Sequence, residues 1–144
     1  MQDLIGMAKE IADASGIPGE LVCAIVEQES NWNTWAIRME PGFYSTYVAP
    51  LVAAGKIANQ TEAYARAFSW GLMQVMGQTA REHDFVGDFP HLCDPHSGLA
   101  VGCKVFMHKL TQTKGDTQKA LLLWSGGTNP AYPAQVLGRV GKYK

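Results

Sequence analysis

Long apolar runs are missing from this sequence. Its most hydrophobic stretches, Leu121–Trp124 among them, end after a few residues, short of the roughly 20 that a membrane-spanning helix needs. Stable membrane insertion is not expected. Charge of either sign is not in excess either: 12 Lys and Arg stand against 13 Asp and Glu, a formal net charge of −1. A strongly cationic nucleic-acid binder is excluded on that balance. Cysteine is scarce. Cys23, Cys93 and Cys103 cannot all pair within one chain, and none has the CxxC or Cys/His spacing of a zinc site. No metal and no other cofactor is expected. Cys23 lies among Leu21, Val22 and Ile25 and reads as a small buried hydrophobe. Cys93 and Cys103 could meet, but the opening MQDLIGMAKE has no basic region ahead of an apolar block. Without an export signal, free thiols are expected.

What is present suits one soluble domain over residues 1–144: the chain is 47% apolar and long enough for a sizeable core, with no repeat, low-complexity tract or linker. Its mean charge hides an asymmetry. Residues 1–103 carry 5 Lys and Arg against 12 Asp and Glu, whereas residues 104–144 carry 7 against Asp116 alone. Either the two parts pack on each other, or a basic surface with Arg139, Lys142 and Lys144 holds a polyanion.

Apolar spacing predicts helices nearly throughout. Leu4, Ile5, Ala8, Ile11 and Ala12 give a first helix over about 2–15, ended by Gly16. Pro18 opens a second over about 18–31 with Leu21, Val22, Ile25 and Val26 buried. Residues 31–47 are irregular, with an extended stretch at 36–40. Short helices follow at about 48–55, 61–68 and 77–84, then a loop over 85–94. A long helix covers about 95–113, Asp116 caps another through Trp124, and a basic helix closes the chain at 133–143. The fold class is all-α or nearly so.

Three stretches are candidates for chemistry. Glu29 ends an otherwise apolar helix beside Trp32 and Trp35, a border where partial burial raises a carboxyl pKa and keeps a general acid protonated. Glu27 projects elsewhere and reads as a surface charge. In Gly71-Leu72-Met73-Gln74-Val75-Met76, Gly71 permits a tight turn and Gln74 offers the donors and acceptors that an acetamido sugar requires; Leu72, Met73, Val75 and Met76, taken alone, read as core. Trp124 stands at a helix end before Ser125-Gly126-Gly127, where it either fills the core or lines a cleft. Phe43, Tyr44, Tyr47, Trp70 and Tyr132 add aromatic platforms for sugars without specificity.

The ordered set Glu29-Ser30-Asn31-Trp32-Asn33, Gly71 to Ala80 (GLMQVMGQTA), Asp94-Pro95 with Gly98-Leu99 and Gly102, and Trp124-Ser125-Gly126-Gly127 resembles the soluble lytic transglycosylase (SLT) catalytic domain. That family is related to goose-type lysozyme and has the α-helical lysozyme-like fold with a catalytic cleft. The resemblance spans about residues 15–130. It implies that Glu29 is the sole catalytic acid/base and that Ser30, Gln74, Met76, Trp124 and Ser125 bind substrate. The implied partner is the glycan strand of peptidoglycan, cut at the bond from N-acetylmuramic acid to N-acetylglucosamine with formation of a 1,6-anhydro end. Three departures stand out. The family's Tyr-Asn is Trp124-Ser125, so a tyrosine hydroxyl near the acid is missing or supplied elsewhere. Its Pro after the Met is Gly77, and residues 34–68 form an insertion that resembles segments of phage-type lysins.

Two other readings stand beside this one. A muramidase would use Glu29 with a second carboxylate, for which Glu40 is the candidate, and a non-catalytic glycan-binding module would not need Glu29 at all. A monomeric phage endolysin, made in the cytoplasm without a visible signal peptide and acting on the wall after release, is the expected setting.

Overall fold

The computed structural model describes residues 3–144; the expected start of the first helix at Gln2 lies outside the described residues. Asp3 accepts a hydrogen bond from the Gly6 N–H at 2.9 Å and caps α1 (Leu4–Ala14). α2 (Gly19–Ser30) buries Leu21 through Val26 without interruption, the mark of a helix surrounded by protein. A three-residue strand β1 (Ile37–Met39) leads into α3 (Pro41–Phe43), a π-helical turn over Tyr44–Val48, α4 (Ala49–Ala53) and α5 (Gln60–Arg66). β2 (Phe68–Trp70) pairs antiparallel with β1, Ile37 opposite Trp70, and with β3 (Val75–Met76). α6 (Gly77–Glu82) follows, then a 3₁₀ turn over Phe89–Cys93 and the longest helix, α7 (Pro95–Gln112). Asp94 caps α7 through the Ser97 N–H at 3.0 Å, and Asp116 caps α8 (Thr117–Trp124) through the Lys119 N–H at 3.0 Å. α9 (Tyr132–Leu137) and a 3₁₀ turn at Val140–Tyr143 end the chain.

The main core draws Ile25 from α2, Leu72 and Met73 from the turn before β3, Leu99 and Phe106 from α7, and Leu121 from α8. A smaller cluster of Val48, Ala63 and Ala67 fills the 34–68 insertion, with Met39, Phe43, Tyr44 and Ile57 against it. The insertion is pinned by Glu62, which meets Arg66 at 2.7 Å and Arg81 of α6 at 3.0 Å. The Arg81 guanidinium lies 3.9 Å from the Phe89 ring centre, so its charge is also offset by an aromatic face.

The all-α-or-nearly reading holds, with corrections. The helix expected over 61–68 stops at Arg66 because Phe68–Trp70 pairs as a strand. The helix at 48–55 shortens to Ala49–Ala53 behind the π turn, and the 85–94 loop contains the Phe89–Cys93 turn. The helix expected over 133–143 breaks at Gly138, outside α9. Cys23, Cys93 and Cys103 are all buried and free.

Candidate active site

Glu29 stands in the last turn of α2, where helix geometry leaves backbone carbonyls unpaired and the negative end of the dipole disfavours an added anion. Directly after it the chain turns sharply: Asn31 and Trp32 both take left-handed backbone angles, φ 49° and 65°. Glu29 is partly buried. Tyr132, at the start of α9, donates its hydroxyl to Glu29 Oε2, and the Trp124 indole N–H at the end of α8 is a weaker donor to the same group. Burial pushes the Glu29 pKa above the ordinary glutamate value, while Tyr132 and Trp124 pull against that rise without cancelling it. The phenol of Tyr132 is pushed far up by its own burial and by the neighbouring carboxylate, so it remains a neutral donor. Trp124 is fixed by an edge-on contact with Phe106, ring centres 5.8 Å apart at 81°. The Tyr132 hydrogen bond engages Oε2 and leaves Oε1 outside it.

The other candidates fall into two groups. Ser30 donates its hydroxyl to the Leu72 carbonyl at 2.8 Å, tying the end of α2 to the 71–74 turn. Gln74 spends both amide N–H groups on the Ala36 and Gly71 carbonyls, each at 2.9 Å, and accepts from Ser69 at 2.8 Å. Its amide braces the turn. Gly71 has φ +71°, and any side chain there would collide with the Leu92 carbonyl. Leu72, Met73 and Val75 are core, as their spacing suggests, while Met76 remains half-buried before α6. Ser125 donates to the Leu122 carbonyl at 2.9 Å and finishes α8.

Glu40 is not drawn into this group by any hydrogen bond. It sits at the far end of β1, its N–H bonded to Ala67, and its carboxylate pairs with Arg38 at 3.0 Å. Ala36, which meets Gly71 and Gln74, is four residues back, about 13 Å along an extended strand.

Glu27 corrects the reading of a solvated surface charge. Its side chain is 12% exposed and meets Arg139 at 2.7 Å and Lys142 at 2.8 Å, with the Tyr143 hydroxyl at 3.2 Å. These partners, Lys142 first, pull its pKa down to about 2. Two of the seven basic residues of the C-terminal part, Arg139 and Lys142, therefore pack onto Glu27 of the acidic part.

Sequence reasoning placed Tyr132 only among generic sugar platforms. The signal that could have pointed to it was the tyrosine absent at Trp124-Ser125, since a phenol eight residues later meets Glu29. The Gly77 departure has a cause too. A side chain there would press on the Ala65 carbonyl and the Arg66 backbone of α5, so the insertion's helix takes up the space. Among the described residues no group of three or more His, Cys, Asp or Glu could hold a metal ion, and no helix is long and apolar enough to cross a membrane.

Against known proteins, the model of the transglycosylase SLT domain matches residues 6–134. No curated protein and no solved structure matches the chain.

Proposed function

This chain belongs to the transglycosylase SLT domain family, whose general activity is the lytic cleavage of peptidoglycan, and we propose that it does so with Glu29 as its only catalytic acid and base. The observation that carries the reading is the Glu29 carboxyl itself: partly buried, raised in pKa, and held through one oxygen by a neutral tyrosine. Such a group is protonated where an ordinary glutamate is not, which is the state a general acid needs. Protonated Glu29 gives its proton, through Oε1, to the glycosidic oxygen as the bond from muramic C1 to that oxygen breaks. The resulting carboxylate takes the proton from the muramic 6-hydroxyl, whose oxygen forms the new bond to C1. The proton count closes, the enzyme returns to its starting state, and no water is consumed. The substrate's acetamido group shares the positive charge at C1.

In this reading Ser30 holds the 71–74 turn against α2 and Gln74 braces that turn on Ala36 and Ser69, while Met76, Trp124 and Ser125 line the glycan. A muramidase would need a second carboxylate, and the place of Glu40 beside Arg38 gives that reading little support. A monomeric wall-lytic enzyme of the phage endolysin type is the setting we favour; its test is clearing of bacterial walls by added protein that elutes at monomer size. The reaction itself is tested by digesting defined glycan strands and analysing their ends. Ends lighter by one water, and resistant to borohydride, are expected. Mostly reducible muramic ends would replace the transglycosylase with a hydrolase.

A further inference from the structure

Residues 139–143 lie beyond the family match, which stops at residue 134, yet they return to α2 and grip it on both sides of Glu29. Arg139 places Nη1 2.7 Å from Glu27 Oε2 and donates from Nε to Gln28 Oε1 at 2.9 Å. Lys142 reaches Glu27 Oε1 at 2.8 Å. The Tyr143 hydroxyl faces the same Oε1 at 3.2 Å and accepts from the Trp32 indole at 3.0 Å, the two rings lying 5.9 Å apart at 57°. One short segment thus holds residues 27, 28 and 32, with Glu29 between them. Among the described residues, none of its side chains hydrogen-bonds Glu29 itself.

The backbone between these anchors is the part that needs holding. Left-handed angles at two successive residues with side chains, one of them a tryptophan, are unfavourable and persist only where the surroundings enforce them. Trp32 is enforced by Tyr143. The last turn of α2 before it is enforced through Glu27 and Gln28. α9 carries Tyr132 to Glu29 and leads directly into this segment, so the phenol and the grip on α2 are delivered by one continuous stretch of chain.

We propose that Arg139, Lys142 and Tyr143 are positioning residues: they fix the strained end of α2 so that the Glu29 carboxylate stays seated on Tyr132 with Oε1 turned to the glycan. The proposal rests on the reading of Glu29 as the acid/base. It assigns the basic C-terminal segment a task inside the protein, whereas a polyanion-binding surface would act on the substrate directly.

The test uses Tyr143→Phe, which keeps the ring contact with Trp32 and deletes only the hydroxyl, and Arg139→Ala beside Arg139→Lys. On purified peptidoglycan, Tyr143→Phe and Arg139→Ala are expected to lower kcat about 5- to 20-fold with KM within about twofold, since small misplacements of a catalytic group are costly. Arg139→Lys restores most of the rate by returning one cation to Glu27. In hydrogen exchange, the amides of Asn31 and Asn33, bonded to the Glu27 and Ser30 carbonyls, lose protection in the two impaired variants. An unchanged kcat overturns the proposal. So does a raised, salt-sensitive KM at constant kcat, which would mark direct substrate contact, or a rate loss that vanishes at temperatures where variant and parent are equally folded. If the parent protein does not cleave peptidoglycan, the reading of Glu29 fails by itself; unchanged exchange at Asn31 and Asn33 would then still overturn the grip.

Discussion

Glu27 and Glu29 are the same residue type, two positions apart on one helical turn, and their surroundings drive them in opposite directions. Glu27 meets two cations and a phenol and is held down to about 2. Glu29 is partly buried, its partners are the neutral donors Tyr132 and Trp124, and it is raised. Both environments come from the same end of the chain: α9 brings Tyr132, and the turn after it brings the cations. Neighbours that supply full positive charge make an anchor, whereas burial with only neutral donors makes an acid. On the proposed reading, what the C-terminal segment sets beside each glutamate decides which of the two can serve as the acid.

Breaking the acid has the largest expected effect. Glu29→Gln should lower the rate on purified peptidoglycan by about 10³-fold, within the range for loss of a general acid/base. Its thermal midpoint should stay level or rise, because the amide removes a carboxyl whose ionised form is disfavoured by burial. A variant with a tenth of the parent rate would remove Glu29 from its role. Next comes its donor. Tyr132→Phe should lower kcat about tenfold and move the alkaline limb of the rate profile to higher pH, since the hydrogen bond it deletes is one that lowers the Glu29 pKa. A limb moved to lower pH would contradict the assigned role of the phenol.

The anchor is expected to show in stability first. Glu27→Gln leaves Arg139 and Lys142 facing a neutral amide and should lower the thermal midpoint by about 5 °C; an unchanged midpoint would mean that the cluster contributes nothing. The two glutamates also differ in their response to pH. Glu27, with its folded pKa depressed, contributes stability that is fully present above its unfolded value and is lost as pH falls toward about 2. Glu62, lowered chiefly by Arg81, acts in the same sense at the insertion. Glu29 is the reverse: its raised pKa favours folding below the unfolded value, and that contribution disappears as pH rises through the folded one. Thermal midpoints across the acid range should therefore fall less steeply in Glu27→Gln than in the parent. The smallest effect is reserved for Lys144, exposed at the chain end. Lys144→Ala should leave the salt dependence of activity within about twofold, whereas a polyanion-binding surface would lose some of that dependence.

The helices that carry the core were legible because their apolar residues recur at three and four steps over ten or more positions, as in α1 and α2. Glu29 was legible for the same reason, as a carboxyl at the end of such a stripe. The insertion was legible in part: the extended stretch at 36–40 and the helices at 48–55 and 61–68 correspond to β1, α4 and α5. The strand β2, three residues long, is too short for alternation to register, and the π turn has no sequence period of its own. The partners of both glutamates were hidden for another reason: Tyr132 lies 103 residues from Glu29, and Arg139 lies 112 from Glu27. Local pattern carries no distance of that kind. Charge bookkeeping did register that the acidic and basic parts could pack together, but not that Glu27 would be where they meet.

The most direct test is titration of the Glu29 carboxyl itself, followed by carbon NMR of labelled protein in the parent and in Tyr132→Phe. The account predicts a parent pKa above the ordinary glutamate value and a higher one in the variant, with Glu27 remaining near 2 in both. A Glu29 that titrates at or below the ordinary value would contradict it, since burial at the end of α2 would then not be keeping the acid protonated.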